Sequence, residues 1–461
     1  MNTALVLTAM LPEHLLLLGI VVVILLEIVG RARRAALAVA VICVAAAALA
    51  AANLALAGYA AAPFAGQFSV TPTTLLVKAM VLAFALPVLL IARDEFAGAE
   101  FPALLLSSLY GVCLLQSADS FATLFLGLEL MSLPVYVLVL LAWRRPQSAE
   151  AALKYLVLGG TATAMFLMGA SFLYGSGGSL AIDAFPRALA AGDGLSRAAV
   201  VLVVLAFFLK AAIVPFHAWA PDAYEAASVP VTAYMATVVK AGVLLAAVRL
   251  FGNAQLASPM LEIVAALPLL SIVWGNLAAM RQPTLRRMIA YSSIAHAGYL
   301  FYALLGDAAG RLQSVAFYLL AYGLMNLLAF AALPAAADDV GRDRLDNLRG
   351  LFHRAPFAAL MLGIAMLSLA GIPPFPGFVA KFLIFRNVMS AGHTTYAVLG
   401  LVGSYLGIYF YLRVIQLMFM SADAAVAREG GRHRLAFGAT VACLLAAMLV
   451  AVFPGWVIGR L

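Results

Sequence analysis

Apolar stretches of about 20 residues recur along nearly the whole chain, and they constrain its fold more than any other feature. Of the 461 residues, 66% are hydrophobic and only 10% are charged, whereas a soluble domain is about 25% charged. A bilayer core offers the backbone no hydrogen-bonding partner, so segments of this length cross it as helices. The pattern predicts an all-α integral membrane protein without a separate soluble domain.

The chain divides into about fourteen predicted spans, which we number 1 to 14. Their approximate limits are 11–30, 36–57, 73–92, 101–117, 120–142, 150–174, 197–219, 229–250, 258–279, 285–305, 312–335, 355–390, 396–420 and 435–457. The first run has no basic residue before it, so it reads as a retained span and not as a cleaved signal. We therefore predict one polytopic membrane domain over residues 1–461.

Most arginines fall in the loops that join an odd-numbered span to the next even-numbered one. By the positive-inside rule these loops are cytoplasmic, which places both termini on the outer side. The net charge of +8 then reports topology and calls for no polyanionic partner. No basic run with interleaved aromatic residues is present, which argues against nucleic-acid binding.

The three cysteines, Cys43, Cys113 and Cys443, lie in separate apolar runs. Zinc and iron–sulfur sites need clustered ligands, and the chain has neither a Rossmann nor a Walker motif. We expect no cofactor and no metal in this chain.

The stretch from Phe207 to Lys240 concentrates the residues that a membrane tolerates least. Lys210 lies within an apolar run that Pro215 interrupts, and Lys240 lies in the middle of the next run. An intramembrane lysine costs about 2.5–3.5 kcal/mol on insertion scales, so each needs partners or water. Lys381 of span 12 is in the same position, whereas Lys78, near the outer start of span 3, is expected to snorkel to the interface.

Spans 7 and 12 share an interruption, at Pro215 in the first and at Gly371–Gly377 in the second. Proline breaks a helix, and broken backbone persists at membrane depth only where protein buries it or water hydrates it. Spans five apart cross in opposite directions. The placement predicts two inverted five-helix repeats, spans 4–8 (about residues 101–250) and spans 9–13 (about 258–420). Residues 1–100 would hold spans 1–3, and residues 435–461 the last span.

Glu129 in span 5 is the carboxylate best placed to face an intramembrane lysine, and Lys210 is its natural partner. The two readings are a static ion pair and a protonatable pair on a proton path. Glu150 and Lys154, at the start of span 6, fit either a surface i,i+4 pair or a continuation of that path.

His217 follows the break of span 7, and His296 in span 10 is accompanied by Ser292, Ser293 and Tyr299. Histidine exchanges protons near neutral pH, so both are candidates for a proton relay; hydrogen-bonded structural roles are the alternative. Asp222 and Glu225, in the loop after span 7, read more readily as interfacial or capping residues. Arg413 of span 13 needs a partner that the sequence does not identify.

Five segments together resemble the antiporter-like membrane subunits of respiratory complex I, the proton-pumping NADH:quinone oxidoreductase. They are LFLGLELMSLPVYVLVL, EAALKYLVLGG, FFLKAAIVPFHAWAPDAYEAASVPVTAYMATVVK, LRRMIAYSSIAHAGYL and SLAGIPPFPGFVAKF. Among the sister subunits, one type is longer and another carries a glutamate in place of Lys381, so this chain is most similar to the third type.

The resemblance implies proton translocation along a midplane axis that comprises Glu129, Lys154, Lys210, Lys240 and Lys381, with His217 and His296 as relays. NADH, flavin, iron–sulfur clusters and quinone would belong to partner subunits in a bacterial inner membrane, with both termini periplasmic. Related subunits occur in Mrp-type cation/proton antiporters and membrane-bound hydrogenases, which form the alternative function. A purely structural scaffold is a third alternative that the deep lysines disfavour.

Overall fold

A computed structural model describes residues 3–30, 32–93, 95, 96, 98–142, 145–252, 256, 260–333, 343–421 and 434–460, with residues 32–34 described by their backbone alone. Several arginines of the topology argument therefore lie outside the residues or side chains that are described: Arg31, Arg33, Arg34, Arg144, Arg342, Arg428 and Arg432.

The described chain is built almost wholly of helices. In chain order these are α1 (Thr3–Ala9), α2 (Leu11–Ile28), α3 (Ala32–Leu56), α4 (Pro72–Ala92), α5 (Glu100–Gln116), α6 (Phe121–Leu140), α7 (Gln147–Gly177), α8 (Ala184–Ala191), α9 (Gly194–Ala211), α10 (Trp219–Ala226), α11 (Val229–Tyr234), α12 (Lys240–Phe251), α13 (Met260–Ala279), α14 (Leu285–Tyr302), α15 (Ala308–Ala331), α16 (Leu351–Arg354), α17 (Pro356–Ala370), α18 (Pro376–Ser390), α19 (Thr394–Phe419), α20 (Arg434–Val452) and α21 (Pro454–Ile458). A π-helical turn, Met235–Val239, joins α11 to α12, and Ala303–Leu305 and Leu345–Leu348 form 3₁₀ turns.

Among the described residues, twelve helices are long and apolar enough to cross a membrane, and α5 and α17 are shorter apolar helices. The helices follow the predicted spans to within a few residues. The all-α membrane architecture is therefore confirmed, while the number of crossings and the inverted repeats stay predictions. The sequence analysis missed a small antiparallel hairpin, β1 (Ala61–Phe64) and β2 (Phe68–Val70), between α3 and α4.

Polar side chains cap the start of two helices that carry candidate site residues, α6 and α14. The Ser120 hydroxyl accepts a hydrogen bond from the Thr123 amide at the start of α6, and the Thr284 hydroxyl does the same for the Arg287 amide of α14. The first amides of a helix have no partner within it, so such caps matter most where little water is available. Ser120 and Thr284 therefore define where α6 and α14 begin.

The helices group into two compact units. Unit 1 comprises Met1–Ala211 and Val238–Leu256. Within it α3 packs between α2 and α4, α5 packs on α6, and α7 packs on α9. A Cβ on Gly111 of α5 would lie 2.3 Å from the backbone nitrogen of Met131 on α6. Glycine therefore permits the close approach of α5 and α6, as is common between membrane helices.

Unit 2 comprises Ala212–Thr237 and Ala257–Leu461. Within it α14 packs on α10 and α13, and α15 packs on α17, α18 and α20. In both α14 and α15, 94% of the membrane-spanning stretch is buried inside the protein. These two helices therefore form the centre of this unit.

The breaks in spans 7 and 12 are present at the predicted places. The helix of span 7 ends at Ala211 and that of span 12 at Ala370, and each is followed by a residue of positive φ: Ala212 at 62° and Gly371 at 85°. The two break segments, KAAIVPF (210–216) and LAGIPPF (369–375), share four identical residues. This local correspondence favours the predicted repeat.

Candidate functional site

Glu129 and Lys210 lie together in unit 1. Lys210 Nζ is 3.2 Å from Glu129 Oε1 and donates to Ser132 Oγ at 3.1 Å. Glu129 and Ser132 are three residues apart on α6 and share a face, while Lys210 occupies the last turn of α9, next to the break. The lysine side chain is 6% exposed and the glutamate 20% exposed. The predicted pair therefore exists, and it is largely shielded from solvent.

Thr163 of α7 completes this pair, and the sequence analysis did not identify it. Its hydroxyl lies 2.5 Å from Glu129 Oε1 and 3.1 Å from the Gly159 carbonyl oxygen, so its one proton is shared between two acceptors. The same carboxylate oxygen thus receives both the lysine and the threonine. The only signal in the sequence was the spacing of two small residues, Gly159 and Thr163, four apart on α7. That spacing does not indicate which helix Thr163 faces.

Lys154 forms an ion pair within its own helix. Its Nζ is 2.7 Å from Glu150 Oε1 in an i,i+4 pair on α7, and the two side chains are 45% and 68% exposed. This geometry matches the surface-pair reading, and a proton-path role for Lys154 stays a prediction.

Lys240 begins α12 directly after the π-helical turn and is 7% exposed. Two residues on, the Gly242 carbonyl accepts a hydrogen bond from Gln116 Nε2 at 3.2 Å. At the far end of α12, Arg249 donates to the Gln116 carbonyl and to Asp119 Oδ1, both at 2.6 Å. Within unit 1 the sequence-predicted lysine is deeply placed, and α12 is tied to the end of α5 by polar contacts.

His296 lies at the centre of a buried polar cluster in unit 2. Its Nδ1 is 2.7 Å from the Tyr318 hydroxyl and its Nε2 is 3.1 Å from the Tyr411 hydroxyl. Tyr411 also contacts the Ser292 hydroxyl. Because a hydroxyl both donates and accepts, either ring nitrogen can hold the proton. His296, Tyr318 and Tyr322 also line a small cavity with room for about one water molecule.

Lys381 reaches the same cluster from α18. Its Nζ donates to the Ala370 carbonyl and to Ser404 Oγ, both at 2.9 Å, and lies 5.2 Å from the centre of the Tyr299 ring. The Tyr299 ring also contacts His296 edge-on, at 5.6 Å between centroids. The Ala370 carbonyl is freed by the break in span 12, so the broken helix supplies a ligand to the lysine. The structure thus joins His296 and Lys381 around one tyrosine.

His217 lies in the segment after the span 7 break. Trp274 Nε1 donates to His217 Nε2 at 3.1 Å, which requires that this nitrogen carry no proton. The ring is half-buried. A structural hydrogen bond is therefore present, and a relay role stays a prediction.

The loop acids of unit 2 make ion pairs. Arg287 Nη1 lies 3.0 Å from Asp222 Oδ1 and 2.8 Å from Glu225 Oε2, and all three side chains are partly exposed. The neighbouring Arg286 is fully buried against Asp343, through a bidentate pair at 2.7 and 2.9 Å. These contacts fit the interfacial reading of Asp222 and Glu225.

The structure contradicts the predicted placement of Lys78 and identifies the partner of Arg413. Lys78 does not snorkel: it is fully buried and pairs with Glu13 of α2. The snorkelling prediction was wrong because a carboxylate on a neighbouring helix satisfies the ammonium inside the protein. Arg413, whose partner the sequence left open, donates to the Met280 carbonyl at 2.9 Å just beyond the end of α13.

At the start of the helix that carries Lys210, Asp193 Oδ1 accepts a hydrogen bond from the Ser196 amide at 2.9 Å. Hydrogen bonds from the Ser196 hydroxyl and amide lower the pKa of this exposed carboxyl. The described residues contain no cluster of three potential metal ligands.

Known proteins resemble this chain over most of its length. The family model described as NADH:quinone oxidoreductase/Mrp antiporter, TM, matches residues 118–407. NADH-quinone oxidoreductase subunit N of Pelobacter propionicus is 39% identical over 412 residues, which are 89% of this chain and 89% of that protein.

Two solved structures share the fold. A chain of respiratory complex I from Thermus thermophilus with bound aureothin is 36% identical, with a TM-score of 0.84 and coverage of 97% of this chain and 98% of that one. A chain of the Mrp complex from Dietzia sp. DQ12-45-1b has a TM-score of 0.82 at 21% identity, covering 98% and 96%, which shows likeness of fold alone. The chain therefore belongs to the antiporter-like membrane subunits of NADH:quinone oxidoreductase, and among them it is most like subunit N.

Proposed function

We propose that this chain translocates protons as subunit N of an NADH:quinone oxidoreductase, with Glu129 and Lys210 as a protonatable pair. The observation that carries the proposal is the 3.2 Å contact between Lys210 Nζ and Glu129 Oε1 in a largely buried setting next to a helix break. Burial disfavours the charged lysine, whereas the nearby carboxylate favours it. Because these effects oppose each other, a small movement of either group is enough to release the proton.

Ser132 and Thr163 support this role. The Ser132 hydroxyl accepts from the ammonium and is able to donate to a neutral amine, while the Thr163 hydroxyl donates to the carboxylate. Both protonation states of the pair therefore keep hydrogen-bonding partners. The irregular backbone beyond Ala211 provides the kind of segment that water hydrates at membrane depth.

In unit 2 we assign the second protonatable centre to His296 and Lys381. The two tyrosine hydroxyls on the histidine ring let a proton arrive at one nitrogen while another leaves from the opposite one. Lys154, Lys240 and His217 are the remaining members of the proposed route, Lys240 as the acceptor from Lys210.

The proposal places the redox chemistry in partner subunits. NADH oxidation, flavin, iron–sulfur clusters and quinone reduction would be theirs, and sister antiporter-like subunits would be neighbours in a bacterial inner membrane. Both termini would face the periplasm.

The test is proton pumping and NADH-driven quinone reduction by the assembled complex in vesicles. Lys210→Ala is expected to reduce pumping by roughly a hundredfold or more, the range of a positioned acid–base group. Lys210→Arg is expected to do the same, because arginine keeps its proton. Arg187→Ala, at an exposed pair on α8, is the matched control and should pump normally. If Lys210→Arg pumped at the wild-type ratio, the pair would be a static brace and the proposal would fail.

The second candidate is a cation/proton antiporter subunit, since the matched family description also names Mrp antiporters. The two are separated by purifying the native complex. Co-purification of NADH-oxidising subunits supports the first function, and sodium-driven transport without them supports the second.

A further inference from the structure

One face of α13 holds the segment after the span 7 break through two polar side chains, Ser271 and Trp274. Ser271 is 0% exposed, and its Oγ accepts a hydrogen bond from the Val214 amide at 2.8 Å. Trp274 lies three residues further on, which places it on the same face of the helix. Its indole Nε1 donates to His217 Nε2 at 3.1 Å. The serine therefore fixes the backbone of this segment, and the tryptophan holds a side chain three residues later.

The position of the indole is set by the packing of α13 on α14. A Cβ on Gly275, the residue after Trp274, would lie 2.7 Å from the Tyr291 carbonyl oxygen and 2.8 Å from the Ala295 nitrogen of α14. Glycine thus lets the two backbones pack directly on each other beside Trp274. The indole and imidazole rings meet edge-on, at 6.4 Å between centroids and 72° between planes. The indole N–H is therefore aimed at the histidine by the fold of unit 2.

The direction of this hydrogen bond determines the protonation state of His217. Indole Nε1–H only donates, so His217 Nε2 must accept through a lone pair, and the single proton of the neutral ring is on Nδ1. An imidazolium carries a proton on both nitrogens, so it would lose this bond and set two N–H groups against each other. A hydrogen bond made to the neutral form alone disfavours the charged form.

The other titratable groups of unit 2 near this segment come from α10 and α14. Asp222 and Glu225 of α10 both pair with Arg287 of α14. The Tyr291 ring of α14 lies 6.5 Å from the His217 ring, between centroids. The two acids are thereby occupied by an arginine, and the hydrogen bond to the imidazole comes from the indole of α13.

We propose that Trp274 is a positioning residue for His217, which it holds neutral with the proton on Nδ1 until the indole turns away from Nε2. The indole is 49% exposed, so its turning displaces little of the chain. Protonation then forms one N–H bond at Nε2 and breaks one O–H bond of a hydrated proton, and return of the indole reverses the step. The consequence for pumping rests on the proposed function, whereas the state of the ring does not.

Infrared spectroscopy of the purified, assembled complex with isotope-labelled histidine tests the inference, because the two neutral tautomers and the imidazolium have different ring bands. Subtracting the spectrum of the same complex with His217→Gln isolates the signal of His217. Wild type is expected to show the neutral ring with its proton on Nδ1. Trp274→Phe keeps an aromatic ring and removes the donor. At a given pH its ratio of imidazolium to neutral ring should rise by about twofold to tenfold, the effect of one hydrogen bond.

Trp456→Phe is the matched control, since it makes the same change at a side chain that is 60% exposed, and it should leave the His217 signal as in wild type. A His217 signal that Trp274→Phe leaves unchanged would overturn the proposal, and so would a neutral wild-type ring protonated on Nε2. Proton pumping in vesicles separates this inference from the proposed function. If the ring changes its form in Trp274→Phe while pumping stays at the wild-type ratio, positioning by Trp274 is supported and the relay role of His217 is refuted.

Discussion

Two adjacent glycines of α7, Gly159 and Gly160, provide a matched test of how tightly α6 and α7 are held at the Glu129 site. A Cβ on Gly159 would lie 1.9 Å from the Tyr136 hydroxyl oxygen of α6, whereas a Cβ on Gly160 would meet nothing within 4 Å. The Tyr136 ring is buried and packs edge-on against Tyr155 of α7, at 4.6 Å between centroids. Since the ring has little room to turn, we expect Gly159→Ala to push the two helices apart.

The size of the effect follows from these distances. Relaxing 1.9 Å to an ordinary contact of 3.4 Å requires a shift of about 1.5 Å. Overpacking of this kind costs about 1–3 kcal/mol, whereas glycine-to-alanine in an open helix position stabilises by about 0.5–1 kcal/mol. The gain from replacing glycine in a helix applies to both variants and cancels, so the two should differ in stability by the overpacking cost, about 1–3 kcal/mol.

The same shift affects the site. Thr163 lies one turn after Gly159, and its 2.5 Å contact with Glu129 would lengthen beyond hydrogen-bonding range. A hydrogen bond to a charged group contributes about 1.5–3 kcal/mol, so under the proposed function pumping should fall by roughly tenfold to a hundredfold.

The assays are thermal dissociation of this subunit from the purified complex and proton pumping in vesicles, both relative to wild type. Tyr136→Phe added to Gly159→Ala removes the oxygen that the new methyl meets and should restore part of the stability. Equal stability of Gly159→Ala and Gly160→Ala would refute the packing argument. Normal pumping by a destabilised Gly159→Ala complex would refute the role of Thr163.

Asp343→Ala removes the carboxylate that pairs with the buried Arg286 in unit 2. It should lower the stability of the protein by about 3–5 kcal/mol, because a buried charge loses its partner. The measurement is the yield of assembled complex, which should fall strongly. The exposed Asp183→Ala is its control and should change stability by less than about 0.5 kcal/mol; similar losses in both would contradict the burial argument. For topology, Asp346→Cys places a thiol at a side chain that is 77% exposed. It should react with impermeant reagents from the cytoplasmic side alone, and labelling from the periplasm would reverse the predicted orientation.

Much of the fold was predictable because the membrane limits what the sequence is able to form. Apolar length predicted helices such as α4 at 73–92, against Pro72–Ala92 in the structure. Proline and glycine located both breaks. The hairpin β1–β2 was missed because its strands are four and three residues long, too short for a clear periodic pattern.

The candidate site was predictable to a lesser extent. Charged residues within apolar spans are conspicuous in a sequence, so Glu129, Lys210 and Lys381 were identified from their charge and position. Thr163 and Glu13 were not. A threonine is unremarkable in a membrane helix, and a glutamate near the start of a span reads as interfacial.

By itself the sequence determined that this is a polytopic helical membrane protein with two broken spans and several intramembrane charges, because the cost of polar groups in lipid acts locally on each segment. Only the tertiary structure decided which charge faces which. Lys210 and Lys78 both lie in predicted spans, yet one joins Ser132 and Glu129 beside a break while the other is fully buried against Glu13 of a neighbouring helix. The physical reason is that electrostatic and hydrogen-bonding partners come from different helices, and helix packing sets those distances.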